Sequence, residues 1–221
     1  MEDRKESYLV KLAVAKLEKI VNHGDKTPYD NLVSLGNTCR NSWAGKAISE
    51  VPGVHKARDL FRNIGIDPTK RRPSSEALLR RGLKNKGYNS INLLVDIGNW
   101  CSLEFLLPVC VYDARSIAGT IDGRMGNQGE GYIAIDNNYL DLTSRFLICD
   151  QQGAIGSPIK DSMRTRVTED TTEAIILIYA PGYLPDAELL SHLDTFIERI
   201  IAYCGGILIE KYLLSRKIKE Y

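Results

Sequence analysis

Lys70-Arg-Arg-Pro-Ser-Ser-Glu-Ala-Leu-Leu-Arg-Arg81 is the stretch on which the fold turns. Ser74 or Ser75 is a natural N-cap, because a short hydroxyl side chain accepts from the free N–H groups of a first helical turn. Glu76 stands in that turn, where the helix dipole favours negative charge, and Ala77, Leu78 and Leu79 carry the helix on. Lys84, Lys86 and Gly87 close it. Upstream, Pro52-Gly53 opens another helix, in which Ala57, Leu60, Phe61 and Ile64 recur at three- and four-residue steps and Gly65 is the stop. Asp67-Pro68 forces an extended link between the two, since the proline ring disfavours the helical region for the residue before it.

Working outward, Tyr8 to Val21 is read as a strand, with a short helix as the alternative, and Lys26 to Ser34 as a turn leading into a helical stretch. Ile91 to Ile97 reads as a nearly continuous apolar strand interrupted by Asn92 and Asp96. A short helix from Leu103 to Leu106 ends at Pro108, and Val109 to Tyr112 is a strand. Between Gly119 and Asp150 the β-prone runs Thr120-Ile121, Tyr132 to Ile135 and Phe146 to Cys149 alternate with Gly- and Asn-rich turns, as in a meander. Ala174 to Tyr179 is a buried strand. Pro181 and Pro185 break it before Asp186 caps a final helix whose stripe is Leu189, Leu193, Phe196, Ile197 and Ile200, ended by Gly205-Gly206. With no repeat or linker in view, the expectation is one α+β domain over 1–221, a mostly antiparallel, meandering sheet flanked by helices.

The 221 residues are 43% hydrophobic and 26% charged, which suits a sizeable core and argues against disorder. With 29 basic and 28 acidic residues the net charge is +1, so any RNA contact must rest on a local patch. The charged start and an apolar run no longer than Ala174 to Ala180 predict a soluble, cytoplasmic protein with no membrane partner. Five scattered cysteines (39, 101, 110, 149 and 204) contain no Cys-x-x-Cys pair, and the three histidines fall in no ligand spacing, so neither a disulfide framework nor a metal site nor any cofactor is expected.

Gly126-Asn-Gln-Gly-Glu-Gly131 imitates a phosphate loop, but the glycine order is wrong and a β-prone run comes next, so it is read as a hairpin turn. Cys101 or Cys110 activated by His55 would make a nucleophile; buried cysteine as a small hydrophobe is the plainer reading. Lys70, Arg71, Arg72, Arg80, Arg81, Lys84 and Lys86 are opposed within their span only by Glu76. They form either a phosphate-gripping surface or a solvated helix face with one buried Arg–Glu pair, and the sequence leaves both open. Asp96, Asn99, Glu104 and Asp113 are polar groups set in apolar sequence, so they either brace a turn or line a pocket.

These motifs taken in order carry a resemblance. Leu60 to Pro68, Arg72 to Arg81, Asn92 to Asn99, Glu104, Pro108 to Asp113, Gly153 to Gly156 and Thr168 to Ala174 resemble the B3/B4 editing domain of the phenylalanyl-tRNA synthetase β subunit, over about residues 51–181. In that family the domain hydrolyses tyrosine wrongly attached to phenylalanine tRNA, a second sieve needed because an apolar pocket rejects an added hydroxyl weakly. The resemblance implies a hydrolase or deacylase acting on aminoacyl-tRNA in trans, or a non-catalytic module binding tRNA, other RNA or an amino-acid-like ligand. It implies Asn99 and Glu104 (with Glu130 as a further nearby carboxylate) as catalytic groups, and Gly98, Cys110, Gly156 and Ile178 as pocket wall. Arg71, Arg72, Arg80, Arg81 and Lys84 would hold the tRNA. Two departures stand out: the family's histidine falls on Cys110, and the glutamate that accepts the tyrosine hydroxyl falls on Ile178. With 221 residues there is no room for a synthetase core, so a chain that does not itself charge tRNA is expected.

Overall fold

The computed structural model of the chain describes residues 9–217. Its centre is a four-stranded antiparallel sheet in the order β2-β8-β1-β9, formed by β1 (Leu9–Glu18), β2 (Val109–Asp113), β8 (Glu173–Pro181) and β9 (Ile207–Lys217). Of the strand expected at Tyr8–Val21, Leu9–Glu18 forms β1 and Tyr8 lies outside the described residues; the strands expected at Val109–Tyr112 and Ala174–Tyr179 are also here. β9 was not foreseen: after Gly205 and Gly206, both at positive φ, an eleven-residue strand returns along the sheet edge beside β1.

Successive strand residues point to opposite faces, so each face collects its own core. Ala13, Ala15, Leu17, Ile176, Ile178 and Ala180 pack with helices α4 (Leu93–Phe105) and α5 (Asp186–Cys204). Val10, Leu12, Val14, Cys110, Tyr112, Leu177 and Tyr179 pack on the other side, with helix α2 (Val54–Asn63) and a smaller sheet. That smaller sheet has the order β3-β6-β7, from β3 (Asp122–Met125), β6 (Phe146–Asp150) and β7 (Gly153–Gly156). The hairpin of β4 (Gly131–Ile133) and β5 (Tyr139–Asp141) lies between β3 and β6 in sequence and covers a satellite cluster around Leu140, Leu142 and Leu147. The meander is therefore interrupted. Gly126–Gly131 is a turn, but it joins two separate sheets instead of neighbouring strands, since β3 pairs with β6 and β4 with β5.

The largest departure is α4. Ile91–Ile97 is not a strand, nor is Leu103–Leu106 a helix of its own; both belong to one thirteen-residue helix and the link before it. Asn92 caps it by accepting from the Val95 N–H at 3.1 Å, and buried Asn22 accepts from the Leu94 N–H at 2.6 Å. Asp96 in the first turn accepts from Ser90 Oγ and the Ile91 N–H. The helix is apolar nearly all round because one side meets the sheet and another, through Leu103 and half-buried Trp100 and Leu106, meets the cluster of α1 (Thr27–Trp43) and α3 (Ser74–Leu83). A helix buried on both sides shows no amphipathic period and so reads like a strand.

The cap positions also shift by one. Pro73 precedes α3 and Ser74 is its first residue, while Pro185 precedes α5 and Asp186 is its first, held at 2.7 Å by Lys11 Nζ. In both helices the proline's missing N–H falls where no helical partner exists.

Candidate functional site

Three of the five buried side-chain polar atoms that lack a hydrogen-bond partner among the described residues gather in one place: Tyr112 Oη, Tyr179 Oη and Asp161 Oδ1. Tyr112 leaves β2 and Tyr179 leaves the adjoining β8, on the face that also carries Cys110. Asp161 is brought under them by the tight turn Ser157–Lys160, in which the Ser157 N–H donates to the Lys160 carbonyl at 3.2 Å and Gly156 pairs across to Asp161. A Cβ at Gly156 would lie 2.0 Å from Tyr112 Oη, so only glycine lets the ring fill this space. Burial pushes the Asp161 carboxyl up to about 6, against the lowering pull of the Cys110 thiol and Tyr112 hydroxyl. These groups influence one another's titration, yet none meets another in hydrogen-bonding geometry, and both tyrosines are completely buried.

Beside this cluster opens a surface cleft of about 570 Å³, lined among others by Gly131, Tyr132, Gly153, Ala154, Ser162 and Arg164. Tyr132 forms the wall between cleft and cluster: its hydroxyl donates to the Lys160 carbonyl at 2.5 Å, beside Ser157 Oγ at 3.2 Å. Glu130 on the cleft rim is held by both terminal nitrogens of Arg124 at 2.7 Å, and Arg164 opposite grips Asp150 with both of its own. The Arg124 hydrogen bonds hold the Glu130 carboxyl below its usual range, so it is committed to its ion pair and is a poor proton acceptor.

The residues nominated from sequence do not form one pocket. Cys110 and Gly156 stand on the cluster side of the sheet; Ile178 and Gly98 stand on the other side, Gly98 packed close to Val109, Val111 and Phe196. The separation is one of strand parity. Cys110 pairs with Leu177, so a residue on β8 sharing a face with Cys110 is Leu177 or Tyr179, never Ile178. Asn99 is half-buried on α4, and Glu104 further along that helix accepts from Arg199 Nη2 at 2.5 Å, whose guanidinium stacks 3.6 Å over Trp100. Glu104 thus braces α4 against α5. Asp113 likewise braces: it accepts from Thr171 Oγ1 at 3.0 Å and from the Arg115 N–H at 3.0 Å. Sequence reasoning missed Asp161 and the two tyrosines, because nothing local marks a carboxylate in a turn or a tyrosine in a strand as facing a cluster.

The cysteine readings resolve toward packing. Burial pushes the Cys101 thiol up to about 12 and drives that of Cys110 well above its ordinary value, which disfavours the nucleophilic thiolate, while His55 is exposed on α2. Native-state thiol titration is expected to label half-buried Cys39 first and to reach Cys101, Cys110, Cys149 and Cys204 only on unfolding. Two or more fast thiols in the native protein would contradict this.

The basic segment divides as well. Glu76, with 1% of its side chain exposed, accepts from Arg58 Nε and Nη2 at 2.7 and 3.0 Å and from Arg80 Nε at 2.7 Å. Arg81 Nε donates to the Gly87 carbonyl at 2.9 Å. Arg80 and Arg81 are therefore tied to the protein, while Lys70, Arg71, Arg72, Lys84 and Lys86 remain exposed around α3. Among the described residues no helix is long and apolar enough to cross a membrane, and no group of three potential metal ligands occurs.

An α+β domain with α4 and α5 on one face of an antiparallel sheet, and α2, a smaller sheet and a polar cluster on the other, defines the class. A model of the B3/4 domain family matches residues 56–182, and the chain belongs to that family. The chain is 35% identical over 117 residues to the phenylalanine–tRNA ligase β subunit of Streptomyces avermitilis, covering 51% of this chain and 14% of that protein. The β subunit from Cutibacterium acnes is 36% identical over 92 residues, covering 41% and 11%. This chain thus spans only a small part of these relatives' length. An N-terminal fragment of the phenylalanyl-tRNA synthetase β subunit from Pyrococcus horikoshii aligns with a TM-score of 0.45 and 16% identity over 52% of this chain and 41% of that one.

Proposed function

We propose that this protein is an aminoacyl-tRNA deacylase acting in trans, hydrolysing the ester of an amino acid attached to the wrong tRNA. The observation that carries the proposal is the convergence of Tyr112, Asp161 and Tyr179, with spare hydrogen-bonding capacity, beneath Gly156 and beside an open cleft. Asp161, half-buried and next to Ser162 on the cleft wall, is the member of the set that a small polar group can meet while the rest of a large substrate stays outside. The B3/4 family membership supports an aminoacyl ester as that group. Exposed Lys70, Arg71, Arg72, Lys84 and Lys86 supply a phosphate-gripping surface for the tRNA, and a cytoplasmic setting goes with that substrate.

Asn99, Glu104, Gly98 and Ile178 sit on α4 or on the sheet face that meets it and have no direct part in the chemistry of this proposal. The test is single-turnover incubation with a panel of correctly and incorrectly charged tRNAs. At least one mischarged species should lose its amino acid well above the buffer rate; none doing so would defeat the proposal.

A second reading, capture of an amino-acid-like ligand without turnover, draws on one observation: Glu104 and Glu130, the carboxylates nominated as catalytic, are held in ion pairs with Arg199 and Arg124. Saturable binding of aminoacyl-tRNA that leaves the ester intact would favour it. A salt series separates tRNA from free amino acid as the ligand, because phosphate contacts give a steep loss of affinity with salt.

A further inference from the structure

Resting on the hydrolase reading, we propose that Asp161 is the catalytic base of this site. Asp161 is the carboxylate of the cluster; Glu104 and Glu130, the acids nominated from sequence, are spent in ion pairs with Arg199 and Arg124. Its Oδ1 is sealed among the tyrosines, yet the residue as a whole is only half-buried and adjoins Ser162 on the cleft wall. It therefore spans the boundary between the sealed cluster and the side from which substrate and water arrive. An unpaired carboxylate beside the cleft wall is the acceptor that the water proton of ester hydrolysis needs.

The step balances without a further reactant. Water attacks the ester carbonyl carbon as its proton passes to the Asp161 carboxylate. The carbonyl π electrons move onto the carbonyl oxygen. Their return expels the ribose oxygen, which takes the proton back from Asp161, leaving free amino acid and uncharged tRNA. The titratable groups facing Asp161 are Cys110 and Tyr112 from β2, Tyr179 from β8 and Tyr132 from β4; Lys160 beside it turns outward to pair with Asp136. Each of the four facing groups is held neutral at physiological pH by burial, so the carboxylate is the group that titrates there.

The experiment is single-turnover deacylation between pH 5 and 8 for the wild type, Asp161→Asn and Asp161→Glu, using the tRNA species that the wild type hydrolyses. The wild-type rate should rise with pH along a limb centred near the Asp161 value of about 6. Asp161→Asn should lose that limb and at least ~10²-fold in rate, with partial return in Asp161→Glu. Because burial raises the folded carboxyl above its unfolded value, charge at Asp161 opposes folding at neutral pH, and Asp161→Asn should melt no lower than the wild type. A wild-type rate and unchanged pH profile in Asp161→Asn would overturn the assignment of the base while leaving the hydrolase reading intact. No turnover by the wild type on any charged tRNA would overturn that reading and this inference with it.

Discussion

Ile178→Glu is expected to unfold this protein at neutral pH, although glutamate is the residue the resemblance aligns with that position. Ile178 is 0% exposed, on the sheet face that meets α4 and α5 within a cluster of Ile97, Leu193 and Phe196. The substitution removes about 1.5–3 kcal/mol of apolar burial and places an unpaired carboxylate where no basic group stands in the cluster, at several kcal/mol more. Total stabilities of domains run at about 5–15 kcal/mol, so the sum consumes most or all of it. Ile178→Leu, which keeps the volume, should cost less than about 1.5 kcal/mol. Urea unfolding monitored by circular dichroism distinguishes the two. A folded Ile178→Glu protein with a midpoint near the wild type would mean that Ile178 faces a polar, hydrated site and that the assignment of faces is wrong.

Glu76→Ala should lose about 3 kcal/mol, the lower end of the destabilisation caused by removing one partner of a buried ion pair. The carboxylate lies almost wholly inside while its partners Arg58 and Arg80 are 22% and 31% exposed, so water softens the loss of charge balance but not the loss of three hydrogen bonds. Burial alone would raise the Glu76 carboxyl; the hydrogen bonds from Arg58 and Arg80 outweigh it, and the group sits below its usual range. For a depressed carboxyl the stabilisation is present above the unfolded value, near ~4.3, and is lost as pH falls through the lower folded value. Wild-type urea midpoints should therefore fall between pH 5 and 3 more steeply than those of Glu76→Gln. Parallel curves would show that the network contributes nothing specific.

Much of the architecture is written locally. The Pro52-Gly53 opening and Gly65 stop of α2, the β-branched run of β8 and the apolar stripe of α5 each carry their own signal, and each stands where those signals put it. α4 is different because its neighbours decide it. Leu93, Leu94 and Ile97 are apolar in sequence as a buried strand would be, and only the side-chain caps from Asn92 and distant Asn22 mark the start of a helix. β9 arises from Gly205-Gly206 reversing the chain, and its partner β1 lies almost two hundred residues away in sequence. Of the pocket residues that the resemblance implies, Cys110 and Gly156 share one side of the sheet, but a one-residue difference in register moves a strand residue across it, and no local feature reports that parity for Ile178. Asp161 carries no signal at all until the Ser157–Lys160 turn and the two strands bring it beneath Tyr112 and Tyr179.

The central claim is that an aminoacyl group is recognised on the Cys110 face of the sheet. NMR chemical-shift mapping with a set of 3′-deoxy-3′-(aminoacylamino)adenosines, whose amide replaces the labile ester, tests it most directly. The account predicts saturable shifts for at least one member, concentrated at Cys110, Tyr112, Tyr132, Asp161 and Tyr179. Saturable shifts confined to Gly98, Ile178 and the α4–α5 face, or none with any member of the set, would contradict it.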